Sequence, residues 1–123
     1  MAAPMTTDGR RVRGRDLRCL LTTCLIERGP LTTARLAELV EAEGFAVEGR
    51  ASKTVADALR WEIARGRVQR VGRGRYEFSG TSRSTAWRIR TRVRELRSEA
   101  RSFADSSRSR ESVQPPMPVV APK

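Results

Sequence analysis

From Asp16 onward the apolar positions Leu17, Leu20, Leu21, Cys24 and Leu25 recur at steps of three and four, the spacing that lines one face of an α-helix. Gly29-Pro30 stops the pattern, so a first helix runs to about Arg28, and Leu31 follows as a short extended link. The next stretch, LTTARLAELVEAEG, offers a Thr cap at Thr32 or Thr33 and core positions at Leu36, Leu39 and Val40. It ends on Gly44, where a left-handed C-terminal residue is wanted. After a linker, FAVEGRA, Ser52 is suited to cap a third helix whose inward residues are Val55, Leu59 and Ile63, flanked by Ala56 and Ala58 and ending near Gly66. At about 100° per residue, Lys53, Asp57, Arg60, Trp61 and Ala64 fall on the side opposite Leu59.

The period then changes. Val68-Gln69-Arg70-Val71 and Arg75-Tyr76-Glu77-Phe78 read as two brief strands joined by Gly72-Arg73-Gly74, a turn whose glycines permit positive φ. From Ser82 a helical period returns: Ala86, Ile89, Val93, Leu96, Ala100 and Phe103 form a heptad seam, while Arg88, Arg90, Arg92, Arg94, Arg97 and Arg101 cover the other faces. One reading packs the seam on the first helix of the same chain; another pairs it with a second copy in a homodimer. Trp87 lies off the seam and is expected as a lid on the edge of the small sheet. Residues 1–13 show no apolar period and read as a flexible basic arm, in which Arg10, Arg11 and Arg13, with Arg15 just beyond, are able to touch phosphates. Residues 105–123, rich in Ser and Pro, read as a disordered tail. The expected architecture is mainly α with a small β-hairpin: one domain over 14–80, a basic amphipathic helix over 81–104, and two flanking segments.

Charge sharpens this picture. The 123 residues carry 25 basic and 14 acidic side chains, a formal net charge of +11, and the basic ones are almost all Arg. Counted by segment, residues 1–26 carry +3, 27–48 carry −3, 49–78 carry +5, 79–103 carry +5 and the remainder +1. An uneven field of this kind orients a molecule on a polyanion. Glu38, Glu41 and Glu43 make the second helix repel phosphates, so it is expected to support the third and to offer only its amino-terminal end, Thr32 to Arg35, to a nucleic-acid backbone.

Other classes are excluded by what the chain lacks. No apolar run approaches the roughly 18 residues of a membrane span, so a cytoplasmic protein is expected, with no membrane partner. Cys19 and Cys24 stand five apart, which turns them away from each other on a helix, and no His is present to complete a metal site. They are expected as buried or half-buried thiols, with no metal or cofactor. With no His and no nucleophile beside a base, the chain reads as a non-enzyme.

The order of helix, GPLTTARLAELVE helix, SKTVADALRWEIARGR helix and VQRVGRGRYEF hairpin resembles the winged helix-turn-helix superfamily over residues 15–80, and its last two segments are similar to the HARE-type branch. Between the second and third helices, Phe45 to Ala51 is longer than the ~3–4 residues usual in such a turn. The resemblance implies a recognition helix over Ser52 to Arg65, with Val55, Leu59 and Ile63 as core contacts, and a wing over Val68 to Phe78. In that reading Arg50, Ser52, Lys53, Thr54, Asp57 and Arg60 face the major groove or its phosphates. Arg70, Arg73 and Arg75 meet phosphates or a narrow minor groove, and Thr33 and Arg35 reach the backbone. Trp61 either stacks on a sugar or base or sits half-buried against a neighbouring element.

The expected function is duplex DNA binding by a small, nucleoid-associated transcriptional regulator or DNA-architectural protein. Winged helices also dock on proteins, so a basic face on an acidic partner such as an RNA polymerase subunit is the alternative. RNA binding through Arg83 to Arg101 is a third reading, with few aromatic platforms to support it.

Overall fold

The computed structural model describes residues 9–112, with side chains through residue 105; residues 1–8 of the expected arm and 113–123 of the expected tail lie outside the described residues. The elements in chain order are β1 (Arg10–Val12), α1 (Gly14–Arg28), β2 (Leu31–Thr32), α2 (Thr33–Ala42), β3 (Phe45–Val47), α3 (Ala51–Ala64), β4 (Val68–Gly72), β5 (Arg75–Phe78) and α4 (Arg83–Ser112). The fold is mainly helical with a small antiparallel sheet.

Helix α1 is the hub. Leu17, Leu20, Leu21, Cys24 and Leu25 are almost wholly buried, and so are Thr22 and Thr23 on its other flank, because α2, α3 and α4 all pack against it. Each buried Leu contributes roughly 1.5–3 kcal/mol of burial free energy, so this helix anchors the unit. Thr32 caps α2 by accepting the Arg35 amide at 3.1 Å, and Leu36, Leu39 and Val40 enter the core as the pattern predicts. Gly44 (φ 98°) then turns the chain into β3.

Strand β2 pairs antiparallel with β5, and β5 with β4, giving the order β2-β5-β4. The β4–β5 register is irregular between Arg70 and Gly72, leaving Val71 exposed. Gly74, at φ 64°, closes the turn in the left-handed region that favours glycine. The base of the hairpin is fastened at Ser79, whose amide donates to the Arg67 carbonyl at 2.7 Å and whose hydroxyl donates to the Gly66 carbonyl at 2.9 Å.

Several expectations require correction. The end of the presumed arm is a strand: Arg10, Arg11 and Val12 pair parallel with Phe45, Ala46 and Val47, and Val12, Phe45 and Ala46 are buried. The FAVEGRA linker is therefore half strand, held by the Arg10 amide donating to the Gly44 carbonyl at 2.9 Å. Gly9 is required there, since a Cβ at that position would lie 2.7 Å from the Gly44 carbonyl oxygen. Ser52 is not the cap of α3. The helix begins two residues earlier than such a cap implies, at Ala51 after Arg50, without a side-chain cap, and the turn before it is closed by the Thr54 hydroxyl donating to the Glu48 carbonyl at 2.8 Å.

Along α3, Val55 and Leu59 are buried, but Ile63 is 38 % exposed and Glu62 takes the inward position. On α4, Ile89, Val93, Leu96 and Ala100 are buried against the same chain, where α1 is the main partner. That packing uses the central seam, so it is not free for a homodimer; Ala86 is half-buried and Phe103 exposed at its ends. Trp87 is 65 % exposed and covers no sheet edge tightly. The same helix continues to Ser112, past the residue where the tail was expected to begin.

Ion pairs fasten α4 in place. Arg92 grips Asp16 through two bonds of 3.0 Å, and Arg97 bridges Glu27 and Glu43 with four bonds of 3.0–3.1 Å. Arg10 of β1 pairs with Glu99. These guanidinium groups hold the Asp16 and Glu27 carboxyls below their ordinary range, chiefly through the hydrogen bonds they donate.

Candidate nucleic-acid interface

The amphipathic pattern of α3 turns Lys53, Asp57, Arg60 and Trp61 outward, as the projection predicts. Asp57 is shared by two cations: Lys53 Nζ lies 3.2 Å from one oxygen and Arg60 Nη1 3.2 Å from the other. Both cations remain more than two-thirds exposed, so this trio is a solvated cluster with one net positive charge. Arg50 and Ser52 are exposed at the start of the helix, where first-turn amides lack intrahelical acceptors. The Thr54 hydroxyl is engaged with Glu48 and is not available as a donor.

On the hairpin, Arg70, Arg73 and Arg75 are exposed, and none forms an ion pair among the described residues. Arg70 Nε donates to the Gly72 carbonyl at 3.2 Å, which steadies the strand end. The one carboxylate of the hairpin, Glu77, accepts from Gln69 at 2.6 Å. The Thr33 amide donates to the Gly74 carbonyl at 3.1 Å, which ties the start of α2 to the hairpin turn. That bond occupies the Thr33 amide, and Arg35 is paired with Glu38 at 3.0 Å, so these two positions offer less to a phosphate than their sequence implies.

Positive charge is not confined to α3 and the hairpin. Arg83, Arg90, Arg94 and Arg101 on α4 are exposed and have no ion pair among the described residues. Asp16, Glu27, Glu43, Glu95 and Glu99 are paired instead with Arg10, Arg92 and Arg97.

Sequence reasoning missed the group that orients α3. Glu62, 2 % exposed, accepts two bonds from Arg67 at 2.7 and 3.1 Å and one from the Thr22 hydroxyl at 3.1 Å, with Arg18 at 3.5 Å. It joins α3 to α1 and to the segment leading into β4. The available signal was an acidic residue three positions after the core residue Leu59, with Arg67 five positions on. Trp61 is 54 % exposed, yet neither bare nor packed on a core. The Arg18 guanidinium lies 5.0 Å from its ring centre and that of Arg65 5.8 Å. Both thiols are buried and free; desolvation raises Cys19 above its ordinary pKa and pushes Cys24 up to about 11, so both stay protonated.

No protein-family model, curated protein or solved structure matches this chain. No helix among the described residues is long and apolar enough to cross a membrane.

Proposed function

We propose that the chain is a winged helix-turn-helix protein that binds duplex DNA, with α3 in the major groove and the β4–β5 hairpin as a wing on the adjacent backbone or minor groove. It acts in this reading as a small transcriptional regulator or DNA-architectural protein. The order of three helices followed by a hairpin, with β2 completing its sheet, supports the resemblance. The observation that carries the binding reading is uncompensated charge: Arg70, Arg73 and Arg75 project from one hairpin, beside a helix whose exposed face offers Arg50, Lys53 and Arg60. An Arg at a glycine-closed tip suits the concentrated negative potential of a narrow minor groove.

The test is fluorescence anisotropy on labelled duplexes with the triple variant Arg70→Gln, Arg73→Gln, Arg75→Gln. These side chains are exposed, so the fold should persist and affinity should fall by about tenfold or more as phosphate contacts are lost. Unchanged affinity would remove the wing from the proposal. Tight binding to one acidic protein with only weak DNA retention would replace it with a protein-docking role.

A further inference from the structure

The carboxy-terminal end of α3 opens onto a cavity of about 430 Å³ that neither the groove-facing side of α3 nor the hairpin uses. Its walls carry six arginines from three directions: Arg15 and Arg18 of α1, Arg65 and Arg67 of the turn after α3, and Arg88 and Arg92 of α4. The volume falls within the roughly 300–1,000 Å³ of small-molecule sites, but the wall is cationic where such sites are usually apolar. The only carboxylate in the lining is Glu62, whose two oxygens are saturated by Arg67, Thr22 and Arg18. Arg92 is turned toward Asp16. Arg15, Arg65 and Arg88 have no ion pair among the described residues, are exposed, and come from α1, the turn after α3 and α4. Cys19 at the wall stays a neutral thiol and adds no negative charge.

We propose that this cavity binds an oligophosphate anion, pyrophosphate or the phosphate tail of a nucleotide. With Arg92 neutralised by Asp16, the other five guanidinium groups face one carboxylate and leave four positive charges in the wall, more than a single phosphate balances. Guanidinium forks match phosphate oxygens in pairs, and several converging forks favour linked phosphates over one. The site is independent of the hairpin, and it touches α1, α3 and α4 together. Because Arg18 and Arg65 also lie over the Trp61 ring, an anion that draws them inward changes the environment of that indole.

The experiment uses the full chain carrying Trp87→Phe, which leaves Trp61 as the only tryptophan, titrated with pyrophosphate, ATP, orthophosphate and sulfate at fixed ionic strength. Calorimetry and Trp61 fluorescence should agree on a single site, with pyrophosphate bound about tenfold or more tightly than orthophosphate. Adding Arg15→Gln, Arg65→Gln and Arg88→Gln should weaken pyrophosphate by about tenfold or more with an unchanged far-ultraviolet spectrum. The hairpin triple variant should bind pyrophosphate as the parent does, whatever its DNA affinity. Equal affinity for orthophosphate and pyrophosphate would overturn the proposal. So would loss of duplex DNA binding in the cavity variant with no small oligophosphate bound by the parent, which would make the cavity a contact for the DNA backbone.

Discussion

Replacing Glu62 by Gln tests how the orientation of α3 is held. The amide keeps the shape of the side chain but removes its charge, and one of its ends becomes a donor facing the Arg67 fork. Arg67 then loses a two-bond partner now at 2.7 and 3.1 Å, and Arg18 loses a charge at 3.5 Å. Breaking a buried ion pair costs about 3–5 kcal/mol. The Arg67 and Arg18 side chains are themselves 20 % and 21 % exposed, so water recovers part of the loss. We expect about 2–4 kcal/mol, a large share of the ~5–15 kcal/mol that separates folded from unfolded domains. Urea unfolding at neutral pH should show a lower midpoint with an unchanged slope. The double variant Glu62→Gln, Arg67→Gln should lose less than the sum of the single losses, because neither partner is then stranded. A single-variant loss below about 0.5 kcal/mol, or strict additivity in the double variant, would refute the reasoning.

Three further outcomes follow from the same geometry. Asp16 and Glu27 titrate below their ordinary values when folded, so their contribution is complete above the unfolded values of 3.8 and 4.5 and is lost as pH falls through the lower folded ones. Acid unfolding followed by circular dichroism should therefore steepen below about pH 4.5, and Asp16→Asn with Glu27→Gln should flatten that limb while lowering stability at neutral pH. Asp57→Asn should raise duplex DNA affinity about 2–5-fold by releasing Lys53 and Arg60, since exposed pairs are worth roughly 0.2–1 kcal/mol; weaker binding would make Asp57 a base-reading group instead. Gly9→Ala places a Cβ 2.7 Å from the Gly44 carbonyl oxygen and 2.8 Å from the Phe45 carbonyl carbon, and should cost about 1–3 kcal/mol. Faster hydrogen exchange at the Arg10 amide would report the unpairing of β1, and unchanged exchange would contradict it.

The parts of the fold that rest on local period were legible. Leu17 to Leu25, Leu36 to Val40 and Ile89 to Ala100 repeat at helical spacing, and each run is buried as that spacing requires. The hairpin was legible because Gly72 and Gly74 bracket a turn between two short strand-like runs. Strand β1 was hidden because Arg10-Arg11-Val12 has no pattern of its own and becomes a strand only through pairing with residues far along the chain. The inward choice between Glu62 and Ile63 was hidden for a similar reason. A carboxylate is stable in that position only because Thr22, Arg18 and Arg67 arrive from outside the helix. Ser52 looked like a cap by residue type, yet Gly49, at φ 67°, and the Thr54 bond to Glu48 start the helix two residues sooner. At the candidate interface the outward face of α3 was legible from its angle alone. The pairing that partly neutralises Lys53, Arg60 and Arg35 was only partly so, and the six-arginine cavity was not, since its residues are scattered through three helices and a turn.

The most direct measurement is the salt dependence of duplex DNA affinity. If Arg50, Lys53, Arg60, Arg70, Arg73 and Arg75 each neutralise a phosphate, log affinity should fall against log salt with a slope of about −5, and the hairpin triple variant should reduce that slope by about 3. A slope near zero, or one the hairpin variant leaves unchanged, would contradict the account.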